Sequence, residues 1–510
     1  MTNPAPVKPR RALRGISLPL ALLLVAPLCS GQGKKTRIPP PVLPPADIKR
    51  LSKELSAWWD LEIKHIELQE SGKKKTKKQR RRIRRASDQA QKAKAKFTED
   101  FHKRGKRIGG IEKHVGDLLA IWDSCFDYRK VYGGGKVLKK HARGKKLPYW
   151  IRYPKTYDLS RRYPLIFALP YRTTDRRKER WISGKDYIER AWPAANEDAL
   201  ENVIVVCPEL PDDMDLSSHV DMTKEDDPEE LERRVFLFTV MGQVFNELRI
   251  HNDKVFLEAS GESVPFALRV ASAFPDRFAG LVLKSPQGAR EAVFENLSNM
   301  SIAILHGGDK QKAMHLERKL KESGHNDVAI EQSGGELPFG EKSEWIHEWM
   351  KNVRRDLFAK KVVLAPAHDM FRKAYWVQIT KAESLGETGL EQYRPRVEVT
   401  ADRETNRVEV KARNVSEVRL YFNDLIVDLD KPITFILNGK TREEKRTRNL
   451  RLLTDLVFKR NDPRYIFLAT GTYEIPEAEK DGAEAGSGKE PDGKGAGKAG
   501  ADPGKDQSGK

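Results

Sequence analysis

The stretch that decides the fold is Val255–Leu283, with the sequence VFLEASGESVPFALRVASAFPDRFAGLVL. It opens with an apolar run, and a turn of small residues follows at 259–263. Phe266, Val270 and Phe274 then recur at a spacing of four, which is typical of one face of a helix. A second apolar run closes the stretch at 280–283. The order strand, tight turn, helix and strand is a βαβ unit, and it predicts a parallel sheet.

This stretch resembles the centre of an α/β-hydrolase of the dienelactone hydrolase, feruloyl esterase and prolyl oligopeptidase type. In those enzymes the turn reads Gly-x-Ser-x-Gly and holds the nucleophile on a strained elbow. Here Ala259 takes the place of the first Gly, Gly261 that of the Ser, and Ser263 that of the last Gly. The phrase AFPDRFAG at 273–280 also looks like the helix end and next strand of those enzymes. The resemblance implies an α/β-hydrolase-like, doubly wound, mostly parallel sheet at about 149–379.

Three further motifs of this resemblance lack the residue that would carry the chemistry. Pro170 follows the apolar run 163–169, where active relatives use a backbone N–H in the oxyanion hole, and proline has no N–H. Lys310 stands at the usual place of the triad acid, one residue after Asp309, and Glu336 replaces the catalytic His. With Gly261, four working positions depart while the surrounding residues are retained. The sequence therefore predicts a pseudohydrolase with a binding role, because a serine hydrolase needs nucleophile, base and oxyanion donors together.

The alternative is an active carboxylic-ester or peptide hydrolase with a rearranged site. It would use Ser260 or Ser263 as nucleophile, Asp309 as acid and His347 as base. Each of these residues also has a simpler interpretation, since the serines lie in a turn, Asp309 precedes a helix as an N-cap, and His347 lies within a helix. Glu336 alone could act as a base or a metal ligand, but no second carboxylate at a fitting spacing supports a metal site. We expect no metal and no cofactor.

The first 31 residues have the pattern of a secretory signal peptide. A basic segment at 8–14 precedes thirteen apolar residues, Ile16–Leu28, and the small residues Ser30 and Gly31 follow. Thirteen residues are too few to span a bilayer comfortably, so the mature chain is expected to have no transmembrane span. We expect an exported protein in the periplasm, the cell envelope or the medium; a lipid anchor at Cys29 is the alternative. A basic, Pro-rich linker follows at 32–45.

Residues 46–148 are predicted to form a helical basic region. Within it, Lys73–Arg107 contains seventeen Lys or Arg against three acids, in a chain whose formal net charge is +20. This density favours an anionic partner such as an envelope component or another polyanion, although a solvated helix face is the alternative. Nucleic acid is disfavoured because no aromatic residue is interleaved before Phe97. The residues expected to bind the anion are Lys73, Lys74, Lys75, Arg80, Arg81 and Arg82.

The C-terminal part of the chain changes to short alternating apolar patterns. They predict a small β-rich domain at 395–475, with a hairpin turn at Asn438–Gly439 and a helix from about Glu444 to Val457. The last segment, 476–510, is rich in Gly, Ala, Lys, Asp and Glu, and is predicted to be disordered.

Overall fold

The structure is a computed structural model, and it describes residues 35–70, 76–142, 148–175, 178–216, 236–287, 292–367, 371–382 and 394–477. Three predictions lie outside these residues: the signal peptide at 1–31, the role of Lys73, Lys74 and Lys75, and the disordered tail from 478 onward.

The N-terminal region forms a helical hairpin of α1 (Pro45–Glu70) and α2 (Lys77–Gly105), followed by α3 (Val115–Asp123). A capping box starts α2, because Thr76 Oγ accepts from Gln79 N at 3.2 Å and Gln79 Oε1 accepts from Thr76 N at 2.8 Å. The rings of Trp58 and Phe97 stack between the two helices with centroids 5.7 Å apart. The start of α1 meets the end of α2, since Arg50 pairs with Asp100 at 2.7 Å. The hairpin is therefore antiparallel.

The predicted linker is packed onto the body of the protein. The backbone N–H groups of Val42 and Leu43 both donate to Asp117 Oδ1 at 2.8 Å. Gly116 lies so close to this segment that a Cβ there would come 2.2 Å from the carbonyl oxygen of Pro39. Residues 35–44 are thus an extended strap across α3.

The central sheet has the strand order β1-β2-β6-β3-β7-β8-β9-β10. Strand β2 is antiparallel to both neighbours, and the strands from β6 to β10 in this order run parallel. A separate hairpin of β4 (Arg172–Asp175) and β5 (Lys178–Trp181) follows β3. The sheet strands are β1 Val137–His141, β2 Pro148–Arg152, β3 Tyr163–Leu169, β6 Ile204–Pro208, β7 Ile250–Ser260, β8 Gly280–Lys284, β9 Ser301–His306 and β10 Val328–Gln332.

Helices cover both faces of this sheet, which confirms the doubly wound fold class. Three helices pack on one face: α4 (Gly184–Ala191), α5 (Glu197–Asn202) and α9 (Ser343–Asn352). Three others pack on the opposite face: α6 (Phe236–Glu247), α7 (Val264–Ala273) and α8 (Lys310–Glu322). Because both faces are covered, the inner strands are apolar on both sides, as the runs at 204–208 and 280–283 are.

The C-terminal domain is a sandwich of two sheets around its own apolar core, with helix α10 (Leu450–Arg460) on the outside. The hairpin at Asn438–Gly439 is present, and both residues have positive φ, 43° and 87°. One sheet contains β11 Lys361–Leu364, β14 Arg396–Asp402, β15 Arg407–Arg413, β17 Ile433–Leu437 and β18 Lys440–Glu444, and the other β12 Lys373–Ala374, β13 Val377–Ala382, β16 Val415–Phe422 and β19 Ala469–Glu474.

The predicted domain limits shift at three places. Strand β1 lies inside the range 46–148 predicted as helical, because an exposed edge strand buries few side chains and lacks an apolar pattern. Strands β11 and β12 and the start of β13 lie inside the range 149–379 but pair with the sandwich, so the sheet domain ends after α9. The helix predicted from Glu444 begins at Leu450, since the hairpin turn extends strand β18 to Glu444.

Arg355, in the loop after α9, joins the two domains. Its guanidinium is buried between Asp253 of β7, at 3.0 Å, and Asp462 after α10, at 2.8 Å. Burial alone would raise the pKa of Asp462, but Arg355 outweighs it and lowers the pKa to about 2. Nearby, Asp276 pairs with Arg460 at 2.7 Å and accepts from Tyr375 N at 3.0 Å. Buried ion pairs therefore stabilise the contact between the sheet domain and the sandwich.

Replacing Asp462 with Asn should destabilise the protein by about 3–5 kcal/mol at neutral pH, because Arg355 would keep a buried charge with one partner fewer. The folded pKa of Asp462 is depressed, so its contribution is present above pH ~4, near the unfolded value, and is lost as the pH falls toward 2. Urea unfolding of parent and variant at pH 7 and pH 3 measures this difference, which should shrink at pH 3. Glu417→Gln, at an exposed pair with Lys381, is the matched control and should change nothing measurable. Equal stabilities of Asp462→Asn and parent at pH 7 would contradict the prediction.

Candidate functional site

The elbow between β7 and α7 has the geometry that a nucleophile requires, but Gly261 stands at its tip. Strand β7 ends at Ser260, a 3₁₀ turn spans 261–263, and α7 begins at Val264 with a proline in its first turn. Gly261 has φ 57°, in the left-handed region that glycine adopts without strain. A Cβ at Gly261 would lie 3.5 Å from Tyr171 Cβ and 3.7 Å from Leu337 Cδ1, which are ordinary contacts. The turn has kept its shape and has room for a Cβ.

The two serines beside Gly261 are both fully buried. Ser263 Oγ accepts from Ser260 N at 3.0 Å and lies 3.2 Å from the carbonyl oxygen of Leu169, so it holds the turn against β3. Ser260 Oγ lies 2.8 Å from the hydroxyl of Tyr187. Both hydroxyl groups therefore serve contacts within the turn and the core.

A buried ionic cluster lies beside the elbow; we call Tyr187, Glu258, Ser260 and Lys284 the elbow cluster. Glu258 Oε1 accepts from the Tyr187 hydroxyl at 2.7 Å and lies 3.0 Å from Lys284 Nζ. All four side chains are fully buried. Burial lowers the pKa of Lys284, and Glu258 partly opposes this shift. Burial and Glu258 together raise the pKa of Tyr187 well above its usual value.

The Lys284 ammonium has little compensation beyond Glu258. Its contact with Glu258 Oε1 is close enough for an ion pair but lies outside hydrogen-bond geometry, and no other hydrogen-bond partner reaches Nζ within the described part of the chain. The ring of Tyr187 lies 5.8 Å from Nζ. Trp192 Nε1 donates to the second carboxylate oxygen of Glu258 at 3.2 Å. A Ser–Tyr–Lys arrangement can relay a proton in principle, but full burial keeps this one away from any substrate.

The oxyanion side of the site is also altered. Pro170 directly follows β3 and has no N–H, and the next side chain, Tyr171, is buried with its hydroxyl donating to Leu337 O at 2.9 Å. The N–H of Arg172 donates to the Glu262 carboxylate at 3.1 Å. Tyr171 and Leu337 therefore occupy the space above Gly261, and the Arg172 donor faces an internal carboxylate.

The remaining sequence candidates make their contacts away from the two serines, although Glu336 directly precedes Leu337, which lies against Gly261. Asp309 is exposed and caps α8, with its carboxylate 3.4 Å from Lys312 N; Lys310 begins that helix and is exposed. Glu336 is exposed, and its carbonyl oxygen accepts from Phe339 N at 2.8 Å in a turn. Among the sequence candidates the structure thus brings together Ser260 and Ser263, and neither Asp309 nor His347 joins them; the acid near Ser260 is Glu258, through the Tyr187 hydroxyl.

His347 is buried and faces the opposite edge of the sheet. Its Nδ1 lies 3.6 Å from Asp198 in α5, and burial lowers the pKa of its imidazole. Helix α5 comes immediately before β6, which is parallel to β3, and β3 is parallel to β7. Asp198 is therefore at the amino edge of the strands, whereas the elbow is at the carboxyl edge.

Comparison with protein-family models and with curated protein sequences gave no match. Solved structures similar to the chain include a thermostable esterase, with 18% identity over 43% of this chain and 62% of that one, TM-score 0.32. This chain thus spans less than two thirds of that esterase. Two others are S-formylglutathione hydrolases, from Staphylococcus aureus (14% identity, 44% of this chain and 100% of that one, TM-score 0.32) and from Agrobacterium tumefaciens (11% identity, 43% and 94%, TM-score 0.33).

The strand order and the elbow decide the fold. The sheet domain has the α/β-hydrolase fold. Its eight strands run in the order 1-2-4-3-5-6-7-8 when they are counted within the sheet, with the second antiparallel. The resemblance drawn from Val255–Leu283 is confirmed at this level.

Two features of the α/β-hydrolase domain escaped the sequence analysis. Glu258 and Lys284 interrupt or end apolar strands, and a charge in such a run is the signal that could have indicated a buried ion pair. His306 ends β9 at the carboxyl edge, is nearly fully buried, and places Nδ1 2.8 Å from Gly307 O.

In the part of the chain that the structure describes, no cluster of three or more His, Cys, Asp or Glu could hold a metal ion, and no helix is long and apolar enough to cross a membrane.

The elbow cluster should be a stability element whose charges depend on each other. Glu258→Gln leaves Lys284 as an uncompensated buried cation and should cost about 3–5 kcal/mol in urea unfolding. The double variant Glu258→Gln/Lys284→Met removes both charges and should recover most of that loss, giving a large coupling energy in a double-mutant cycle. If the losses of unfolding free energy from Glu258→Gln and Lys284→Met simply added up in the double variant, the ion pair would be contradicted.

Proposed function

We propose that this protein is an exported, non-catalytic α/β-hydrolase-fold protein that acts by binding. The observation that carries the proposal is Gly261 at the tip of an otherwise regular elbow, with both neighbouring serines fully buried. Acyl transfer by a serine hydrolase needs an exposed hydroxyl, a base within hydrogen-bond reach and free oxyanion donors. At this elbow the serine hydroxyls bond within the protein, and Pro170 has no donor to offer.

The alternative, an active ester or peptide hydrolase with a rearranged site, has less support. Its proposed base, His347, faces Asp198 at the other edge of the sheet, and its proposed acid, Asp309, caps α8. Tyr171 and Leu337 also lie beside Gly261, at 3.5 and 3.7 Å from a Cβ placed there. A working site of this kind would need one of the two serines to leave its hydrogen bonds and His347 to leave the other edge of the sheet.

The purified protein should not turn over a panel of carboxylic esters and peptides, and should not be labelled by a fluorophosphonate probe. Loss of nucleophile or base alone usually lowers the rate by several orders of magnitude. Activity assays and intact-mass spectrometry measure both outcomes. Gly261→Ser is the comparison variant: the turn has room for its Cβ, and the positive φ of 57° should cost only about 1–2 kcal/mol of stability. Stoichiometric labelling of the parent that Ser260→Ala or Ser263→Ala abolishes would overturn the proposal.

The binding role is proposed to involve an anionic envelope component or other polyanion at the tip of the helical hairpin. We call Arg80, Arg81, Arg82, Arg84 and Arg85 the basic tip. All five side chains are exposed, and in the described part of the chain none lies within 4.0 Å of a carboxylate. Further along α2 two cations are paired, Lys96 with Glu54 at 3.6 Å and Arg104 with Asp47. Unpaired positive charge is densest at the tip, where five arginines fall within six residues.

The position of these charges has an energetic cost for the helix. The first turn of α2 contains no acid, and the basic tip follows directly after it. Cations near a helix N-terminus oppose the helix dipole, and neighbouring arginines repel one another. A polyanion would relieve both penalties, which favours a binding surface over a merely solvated face.

The variant Arg80→Gln/Arg81→Gln/Arg82→Gln should elute from heparin at lower salt than the parent. Each cation that contacts a polyanion releases counterions, so the variant should also show a flatter dependence of affinity on salt. A matched triple variant, Lys381→Gln/Arg407→Gln/Lys411→Gln, removes the same charge from exposed positions of the sandwich and should elute near the parent. If the two triple variants elute together, general charge rather than the basic tip governs retention.

A further inference from the structure

A second concentration of positive charge lies in a pocket between the two domains. We call it the interdomain pocket. Its volume is about 680 Å³, and its walls come from the turn after α7, from β12, β16 and β19, and from α10. A pocket of this size fits a ligand of sugar or drug dimensions. It is separate from the elbow and from the basic tip, and neither the resemblance nor the elbow explains it.

The interdomain pocket contains more cations than its own acids neutralise. Two of its arginines are paired, Arg460 with Asp276 at 2.7 Å and Arg446 with Glu444. The lining acid, Asp455, is paired with Arg451 at 3.2 Å. Four further lining cations have no carboxylate within 4.0 Å among the described residues; they are Arg277, Lys373, Arg419 and Lys459.

Lys373 is the central group of this pocket. Its ammonium lies 4.2 Å from the ring centroid of Tyr421 and 5.1 Å from that of Tyr465. Burial, with a smaller contribution from the neighbouring Arg460, lowers the pKa of Lys373 to about 8. Cation–π contacts only partly replace the hydration that a buried ammonium loses. An anion in the pocket would supply the missing counter-charge.

Helix stabilisation does not account for this arrangement. Lys459 and Arg460 lie in the last turn of α10, where cations favour the helix dipole. Arg277, Lys373 and Arg419 come from other elements, and they repel those two residues and each other. Guanidinium groups present paired donors that match the oxygens of phosphate and sulfate, and the tyrosine rings offer flat walls for the rest of a ligand.

We propose that the interdomain pocket, centred on Lys373 between Tyr421 and Tyr465, binds the phosphate or sulfate group of a small anionic ligand. The binding energy comes from the unpaired cations, so charge on the ligand matters more than its shape. Arg277 is the one lining residue that the sheet domain supplies, so the ligand would be held mainly by the sandwich and α10. The two possible sources of the group are a free inorganic anion and a phosphate ester.

The test is thermal unfolding and calorimetry of the full protein with inorganic phosphate, inorganic sulfate and a hexose phosphate, against sodium chloride of equal ionic strength. Phosphate or sulfate should raise the Tm above the chloride value, and Lys373→Met should weaken binding at least tenfold. Lys373→Met removes a half-buried charge that its cationic neighbours repel, so its Tm without anions should equal or exceed that of the parent; this outcome separates lost binding from misfolding. Tighter binding of the hexose phosphate than of inorganic phosphate would assign the pocket to an ester, and the reverse to a free anion.

The pH dependence gives an independent readout. Sulfate keeps its charge between pH 7 and 9, so a fall of its affinity over this range reports the deprotonation of Lys373. The fall should be present in the parent and in Arg80→Gln/Arg81→Gln/Arg82→Gln, and absent in Lys373→Met. Equal anion binding by parent and Lys373→Met, or no Tm shift beyond that of chloride, would overturn the proposal and would leave the proposed role of the basic tip untouched.

Discussion

The buried guanidinium of Arg355 is the interaction on which the arrangement of this protein depends. It reaches Asp253 at the start of the central strand β7 and Asp462 at the end of α10. Helix α10 in turn packs against the helical hairpin, where Trp59 stacks on Phe458 with ring centroids 4.8 Å apart. Breaking one partner of such a buried pair leaves an uncompensated charge, so a few carboxylates couple the sheet domain to the sandwich, and apolar packing couples α10 to the hairpin.

The elbow shows that the requirements of a fold and of its chemistry can separate. The α/β-hydrolase sheet needs an apolar strand, a residue with positive φ and a helix that packs back, and Ala259, Gly261 and Val264 satisfy these needs. Catalysis needs exposed polar groups at the same edge. Here the polar groups near the elbow are directed inward, where Glu258 and Lys284 stabilise each other in the core.

Positive charge is used in two different ways along the chain. On α2 it is continuous in sequence and exposed, which suits the long surface of a polyanion. In the interdomain pocket it is collected from distant segments around two tyrosines, which suits a compact anion. The cations of α2 form a basic run that can be read from the sequence. The cations of the interdomain pocket are spread over almost two hundred residues and form no basic run.

The sequence by itself determined the fold class and the departures at the catalytic positions, because apolar periodicity and turn residues act locally. Val255–Leu283 specifies its own βαβ unit, and Asn438–Gly439 its own hairpin. It did not determine the domain limits, since edge strand β1 and strands β11 to β13 acquire their partners only in the folded chain.

Only the tertiary structure decided that His347 faces Asp198 and that Lys284 meets Glu258. Only the tertiary structure also placed Lys373 beside Arg277 and Arg419 in one pocket. Side-chain direction and burial depend on packing between residues far apart in sequence, which no local pattern records.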